Sequence, residues 1–140
     1  MRLHFALALL CAAAPARSTW HHPSAADRDL AALTLGTVRE ALAAHAVTIE
    51  CLSSSPFPGR DECAAQSALV PRLDAKNLLD IVAGPCSRTP PTHCAYMVFD
   101  LGRGDDSQIT VMVTTRSDRV LSPADVQSIE VAEWQGDTRD

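Results

Sequence analysis

Residues 94–115 read CAYMVFDLGRGDDSQITVMVTT, and this stretch decides the fold class. Two alternating runs, rich in β-branched and aromatic residues, flank the polar segment LGRGDD. In that segment Gly102, Gly104 and Asp105 accept the positive φ that a tight reversal needs. The second run places two sets of side chains on opposite faces of a strand: Ile109, Val111 and Val113 on one, Thr110, Met112 and Thr114 on the other. The stretch therefore predicts a β-hairpin.

A helix is expected before this hairpin. The segment ADRDLAALTLGTVREALAAHA has apolar side chains near helical spacing and predicts a helix over 25–44, with Gly36 as a weak point. Ser24 and Asp27 are spaced as a capping pair at its start. The expected stripe at helical spacing, which needs a sheet to cover it, consists of Leu30, Leu33, Val38, Leu42 and His45.

Shorter patterns complete the outline. AVTIEC and VQSIEVAEW alternate and predict strands, and LLDIVA predicts a third over 78–83. We expect a short helix over 63–69, a turn over 74–77, and a loop at SRTPPTH (87–93), where two prolines lack backbone donors. The predicted fold class is α+β, with a small antiparallel sheet, one long N-terminal amphipathic helix and disulfide staples.

The first 18 residues, MRLHFALALLCAAAPARS, have the order of a secretory signal peptide. Cleavage after Ala16 and cleavage after Ser18 both fit the small residues there. The apolar run is shorter than the roughly 20 residues of a membrane span, and no later segment is apolar enough to be one. We expect residues 1–18 to be removed and residues 19–140 to form a single periplasmic or secreted domain.

The charge balance bears on the partner. The chain has 12 basic and 17 acidic residues and a net charge of -5. Loss of Arg2 and Arg17 with the signal peptide lowers the basic count to 10 and the net charge to -7. An acidic surface argues against nucleic acid and anionic lipid as partners.

Four cysteines remain after the signal peptide: Cys51, Cys63, Cys86 and Cys94. An even number in a small exported chain predicts a disulfide framework. Three connectivities are possible, and the sequence alone does not select one. We favour Cys51–Cys63 and Cys86–Cys94, because each pair brackets a loop with prolines. Neither pair has the short spacing typical of a structural zinc site.

Few residues suggest catalysis. His45 ends the first helix, where a half-buried imidazole near terminal carbonyls is the expected role. His93 and Cys94 are adjacent in an expected strand, so their side chains diverge and form no nucleophilic pair. Asp100, Asp105 and Asp106 lack the spacing of a calcium loop. Arg103-Gly104-Asp105 is an adhesion-type tripeptide that also occurs by chance in turns. We predict no enzyme activity.

One metal hypothesis concerns the mature N-terminus. Cleavage after Ser18 gives a chain that begins Thr19-Trp20-His21. Its amine, two backbone amides and the His21 imidazole could supply the four planar nitrogens that Cu(II) prefers, with His22 adjacent. Cleavage after Ala16 would move His21 to fifth place and destroy the site.

From Glu40 to Thr115 the chain resembles the extracytoplasmic domain of transmembrane anti-sigma factors of proteobacteria. The similar pieces are REALAAHAV, VPRLDAKNLLDIVAG and AYMVFDLGRGDDSQITVMVTT. The resemblance implies a small antiparallel sheet with helices. Those proteins also carry a membrane helix and a cytoplasmic sigma-binding domain, often with a His-x-x-x-Cys-x-x-Cys zinc motif, and this chain has neither.

Three functions remain open from the sequence. The first is a secreted or periplasmic, non-catalytic interaction or sensing module with a protein partner in the cell envelope. The second is periplasmic copper binding through His21 and His22, and copper is the one cofactor that the sequence suggests. The third is inhibition of a secreted enzyme, since small disulfide-stapled domains often inhibit.

Overall fold

The computed structural model describes residues 22–52, 60–103, 107–116 and 122–134, and for residues 60 and 61 it describes the backbone alone. The predicted signal peptide (1–18) and His21 lie outside these ranges. The regular elements are helices α1 (Ala25–Ala43) and α2 (Arg60–Leu69) and strands β1 (Ile49–Cys51), β2 (Leu78–Arg88), β3 (Pro91–Asp100), β4 (Gln108–Thr115) and β5 (Val126–Trp134). Three 3-10 turns span Val70–Arg72, Ala75–Asn77 and Pro123–Asp125.

The five strands form one mixed sheet in the order β1-β5-β4-β3-β2. The pairs β2/β3, β3/β4 and β4/β5 are antiparallel, and β1 pairs with β5 in parallel. The predicted α+β class with a disulfide-stapled sheet is confirmed, and the parallel edge is the one departure from an antiparallel sheet. A parallel pair needs a long crossover between its strands, and here the chain from α2 to β4 supplies it.

Helix α1 covers one face of the sheet. Its bounds agree with the predicted 25–44, and Ser24 and Asp27 form the predicted capping box, each side chain accepting from the other's backbone at 3.0 Å. The predicted apolar stripe is partly wrong, because Leu33 is 58% exposed. The core-facing residues of the helix include smaller ones, which allow a close approach to the sheet: Ala31, Leu35, Val38 and Ala41.

The sheet supplies the other half of the core. Its buried side chains on the helix-covered face include Met97, Phe99, Ile109, Val111, Val113, Ile129 and Val131. The predicted face of β4 is therefore confirmed, since Ile109, Val111 and Val113 are buried and the intervening residues are half-buried. Burial of apolar surface stabilises by roughly 25 cal/mol per Å².

Both favoured disulfides are present. Cys51–Cys63 links the edge strand β1 to α2, and Cys86–Cys94 links β2 to β3, each with its Cα atoms 5.7 Å apart. The predicted connectivity, which was favoured because each cysteine pair brackets a loop with prolines, is confirmed.

The predicted loop over 87–93 is wrong. Strand β2 continues to Arg88 and β3 begins at Pro91, so that only Thr89 and Pro90, joined by a cis peptide bond, lie between them. Prolines are tolerated here for a physical reason: one occupies the turn and the other begins a strand, where a missing N–H leaves no inner ladder position unpaired. The two strands thus form a second hairpin.

In the described ranges, no helix combines the length and the apolar character that crossing a membrane requires.

Candidate functional site

The most distinctive surface of the described chain is the tip of the β2–β3 hairpin. We call the segment Cys86–Cys94 the disulfide hairpin. Its ladder pairs Pro85 with His93, then skips a residue and pairs Ser87 with Thr92. Cys86 is therefore the extra residue of a β-bulge, and a bulge re-aims the strand and increases its twist.

The disulfide hairpin is closed at its base. Cys86 and Cys94 are eight residues apart in sequence, and their bond joins the two strands where the bulge interrupts the ladder. The Cys86 sulfur also lies 3.2 Å from the Thr92 hydroxyl. A short covalent ring with two prolines has few alternative conformations, so its exposed residues are ordered before any partner arrives.

The two arms of the disulfide hairpin differ in exposure. Every residue from Pro85 to Pro91 is exposed, whereas Thr92 and His93 are buried. The buried arm is fixed to β4, since the Thr115 hydroxyl donates to the His93 carbonyl oxygen at 3.4 Å. The arm with Thr92 and His93 is thus held by the sheet. The exposed arm, Pro85 to Arg88, is open to solvent, and we call it the presented arm.

The presented arm is also the edge of the sheet. Strand β2 is the last in the strand order, so among the described residues it has a partner only on the β3 side. An extended edge strand can accept a further strand through its outer backbone groups. Cys86, Ser87 and Arg88 are still within β2 and are exposed, so this stretch combines extended backbone with access from solvent.

Arg88 is the one charged residue between Pro85 and Pro91. Some other arginines serve the fold: Arg28 donates to the Pro23 carbonyl oxygen at 2.8 Å, and Arg103 forms an ion pair with Glu133. The side chain of Arg88 is exposed and makes no hydrogen bond or ion pair with any part of the chain that the structure describes. Its guanidinium is available to a partner.

His45 has a backbone role that the sequence did not predict. It lies beyond the end of α1 with a positive φ of 55°. Its N–H donates to Leu42 O at 3.1 Å, and that of Ala46 donates to Ala41 O at 3.0 Å. These two bonds form a Schellman motif, whose left-handed position usually holds glycine. The expectation of a half-buried imidazole is wrong, because His45 is exposed.

A shallow surface pocket of about 310 Å³ adjoins His45, lined also by Thr48, Glu50 and Gln127. Its lining is polar and open, and it holds one carboxylate and one imidazole in no arrangement typical of catalysis. We assign it no function.

His93 and Cys94 are neighbours in β3. The Cys94 sulfur is bonded to Cys86, so it supplies no thiolate nucleophile. His93 is buried in the anchoring arm of the disulfide hairpin, where it supports the fold.

The remaining candidates give no assembled site. Asp100 accepts from the Gly102 N–H at 3.0 Å and so serves the turn, while Asp105 and Asp106 lie outside the described residues. No group of three or more metal-ligating side chains occurs in the described ranges. His22 is exposed, and copper binding by His21 and His22 stays a prediction.

The chain matches no family model, no curated protein and no solved structure.

Arg88 was not among the residues that the sequence indicated as functional, because the two prolines predicted a loop over 87–93. The signal was nonetheless present: two cysteines eight apart enclose a serine, an arginine and a threonine before the proline pair. Two bonded cysteines only eight residues apart leave little room for an irregular loop and favour a hairpin. An arginine inside that hairpin is expected to point to solvent.

Proposed function

We propose that this protein is an exported, non-catalytic interaction module of the periplasm or the extracellular medium. The disulfide hairpin is the surface that binds its protein partner. The observation that carries the proposal is the run of exposed residues from Pro85 to Pro91, held between a disulfide and a buried strand.

Preorganisation favours binding at this surface. Association costs about 0.5–1.5 kcal/mol for each flexible side chain that it immobilises, and more where a loop must be ordered. The ring closure and the two prolines reduce that cost in the disulfide hairpin before binding occurs. A free loop of the same sequence would lose more conformational entropy.

The two disulfides support an oxidising compartment, in which such bonds form and persist. The signal-peptide pattern of residues 1–18 supports the same location. The resemblance to anti-sigma outer domains stays a prediction, and sigma-factor binding forms no part of the proposal.

Photocrosslinking in the source organism tests the proposal. A photoreactive amino acid replaces Ser87 in the exported chain, and in a matched control it replaces Glu40, which is exposed on α1. We expect one discrete crosslinked protein from position 87 and none from position 40. The same products from both positions, or none from position 87, would overturn the assignment of the hairpin as the binding surface.

A further inference from the structure

We infer that the partner is a serine protease that cleaves after arginine or lysine, and that the disulfide hairpin inhibits it by binding as a substrate does, with the Arg88–Thr89 peptide bond at the catalytic serine. This inference rests on the disulfide hairpin being the partner-binding surface, as proposed above. It identifies which class of protein binds there and which residue decides the recognition.

The backbone before the bond has the conformation of a bound substrate. A protease cleft takes up an extended segment by pairing with its backbone, in the manner of strand addition at a sheet edge. Ser87 and Arg88, which follow the bulge at Cys86, are extended, exposed and at the edge of the sheet. The backbone of these two residues already has the form that pairs with such a cleft.

The side chain of Arg88 suits an acidic specificity pocket. Proteases that cleave after basic residues carry a carboxylate in that pocket, and a guanidinium binds a carboxylate through two parallel hydrogen bonds. Arg88 is exposed and bound to nothing else in the described ranges, so insertion breaks no internal contact.

The bond after Arg88 is cleavable in principle. Thr89 retains its backbone N–H, and the prolines begin one residue later. The catalytic serine oxygen attacks the Arg88 carbonyl carbon, the Arg88–Thr89 C–N bond breaks, and the serine proton passes through the protease histidine to the Thr89 nitrogen. The products are an acyl-enzyme at Arg88 and a free amine at Thr89.

The ring closed by the Cys86–Cys94 disulfide explains why the protease does not release the cleaved chain as a product. In an ordinary substrate the new amine diffuses away and water hydrolyses the ester. Here the Cys86–Cys94 bond and the buried arm on β4 hold the Thr89 amine beside the acyl group. A tethered nucleophile has a high effective concentration, so the amine attacks the ester and re-forms the peptide bond before water does.

Titration of trypsin with the oxidised mature chain tests the inference, with hydrolysis of a small arginine amide as the readout. We expect inhibition that Arg88→Ala weakens at least about 100-fold, the loss typical of an arginine that anchors an interface. Arg88→Lys should retain inhibition, and Arg88→Phe should transfer it to chymotrypsin. The matched control is Arg72→Ala, which alters an exposed arginine away from the hairpin and should leave inhibition unchanged.

A second variant tests the role of the ring. Removal of the disulfide in Cys86→Ser/Cys94→Ser should convert the chain from inhibitor to substrate, with a cut between Arg88 and Thr89 detected by mass spectrometry. Circular dichroism of this variant before addition of trypsin establishes that it is folded, and Arg88→Ala supplies an independent test if it is not.

The outcomes separate the two proposals. Rapid cleavage of the oxidised chain at Arg88–Thr89 without inhibition, or inhibition that Arg88→Ala leaves intact, would overturn the protease inference. Absence of trypsin inhibition together with a discrete crosslink from position 87 would also overturn it, and would leave the hairpin as the binding surface. Absence of both effects would contradict both proposals.

Discussion

Arg39 on helix α1 donates a hydrogen bond from its guanidinium to the backbone carbonyl oxygen of Leu73. The same side chain donates to the Pro71 carbonyl oxygen at 2.9 Å. These two carbonyls belong to the turn between α2 and β2, a segment whose backbone lies outside any sheet ladder. One arginine thus fixes the chain that leads from the helical layer into the strand of the disulfide hairpin.

We expect Arg39→Met to lower the free energy of unfolding by about 1 kcal/mol, because the aliphatic stem is kept while two charge-assisted donors are lost at a partly exposed site. Urea denaturation followed by circular dichroism measures this change. Arg72→Met serves as the control, since no hydrogen bond joins its side chain to the described residues. Equal stability of the two variants would contradict a structural role for Arg39.

Val111→Asp should unfold the domain. Val111 is fully buried in the centre of the sheet, and an unpaired carboxylate there costs several kcal/mol, which is comparable with the whole stability of a small domain. The control is Thr110→Asp, one position away on the half-buried opposite face. Dispersed amide NMR signals from the Val111 variant would show that this face is not the core.

The elements with strong local patterns were predictable. The alternation in β4 and β5, the capping box at Ser24 and the positive φ of 68° at Gly102 all follow from single residues and their spacing. The reason is that hydrophobic period and turn chemistry act over a few residues, which one sequence displays in full.

Features that depend on distant parts of the chain were not predictable. The parallel pairing of β1 with β5 joins Ile49 to Ile129, and no local pattern encodes that register. Ala31 and Ala41 of α1 face the core while Leu33 faces solvent, because the close approach of helix to sheet selects side-chain size as well as hydrophobicity. The disulfide hairpin was not predictable because its prolines indicate a loop, although they occupy positions that tolerate them.

The two disulfides should differ in which strand they protect. Strand β1 has three residues and, within the described part of the chain, only β5 as a partner, so its place in the sheet depends on the Cys51–Cys63 bond to α2. We expect Cys51→Ala/Cys63→Ala to remove amide hydrogen-exchange protection at Glu50 and Leu52 while the central strands stay protected. Each missing bond should also cost about 2–3 kcal/mol in the chain-entropy account.

The comparison variant is Cys86→Ala/Cys94→Ala, which should leave β1 protected, since its bond lies at the opposite edge of the sheet. Loss of β1 protection in both double variants would indicate general destabilisation and would refute a local role for Cys51–Cys63.

His45→Gly should stabilise the protein. The left-handed conformation at the end of α1, with φ at 55°, costs an ordinary residue roughly 1–2 kcal/mol, and glycine adopts it without that cost. Part of the gain is offset by the larger backbone entropy of unfolded glycine, which leaves a net gain of about 0.5–1 kcal/mol. Thermal unfolding checks the sign, and His45→Val, with a β-branched side chain at the same position, should lower the melting temperature. A lower melting temperature for His45→Gly would show that the imidazole itself stabilises the fold.

Gly36 and Gly102 offer one substitution with two opposite outcomes. Apart from the adjacent backbone, a Cβ atom added at either position meets no atom of the described residues within 4 Å, so backbone conformation is the difference between the two sites. Gly36 lies inside α1, where alanine is the better helix former by about 1 kcal/mol and restricts the unfolded chain, so Gly36→Ala should raise stability by about 0.5–1 kcal/mol.

Gly102 has a φ of 68° in the turn after β3, where alanine is strained, so Gly102→Ala should lower stability by about 1 kcal/mol. Chemical denaturation of the two variants, measured beside the parent chain, decides both signs. Destabilisation by Gly36→Ala would mean that α1 needs flexibility at its centre, and a neutral Gly102→Ala would mean that the turn relaxes to a negative φ.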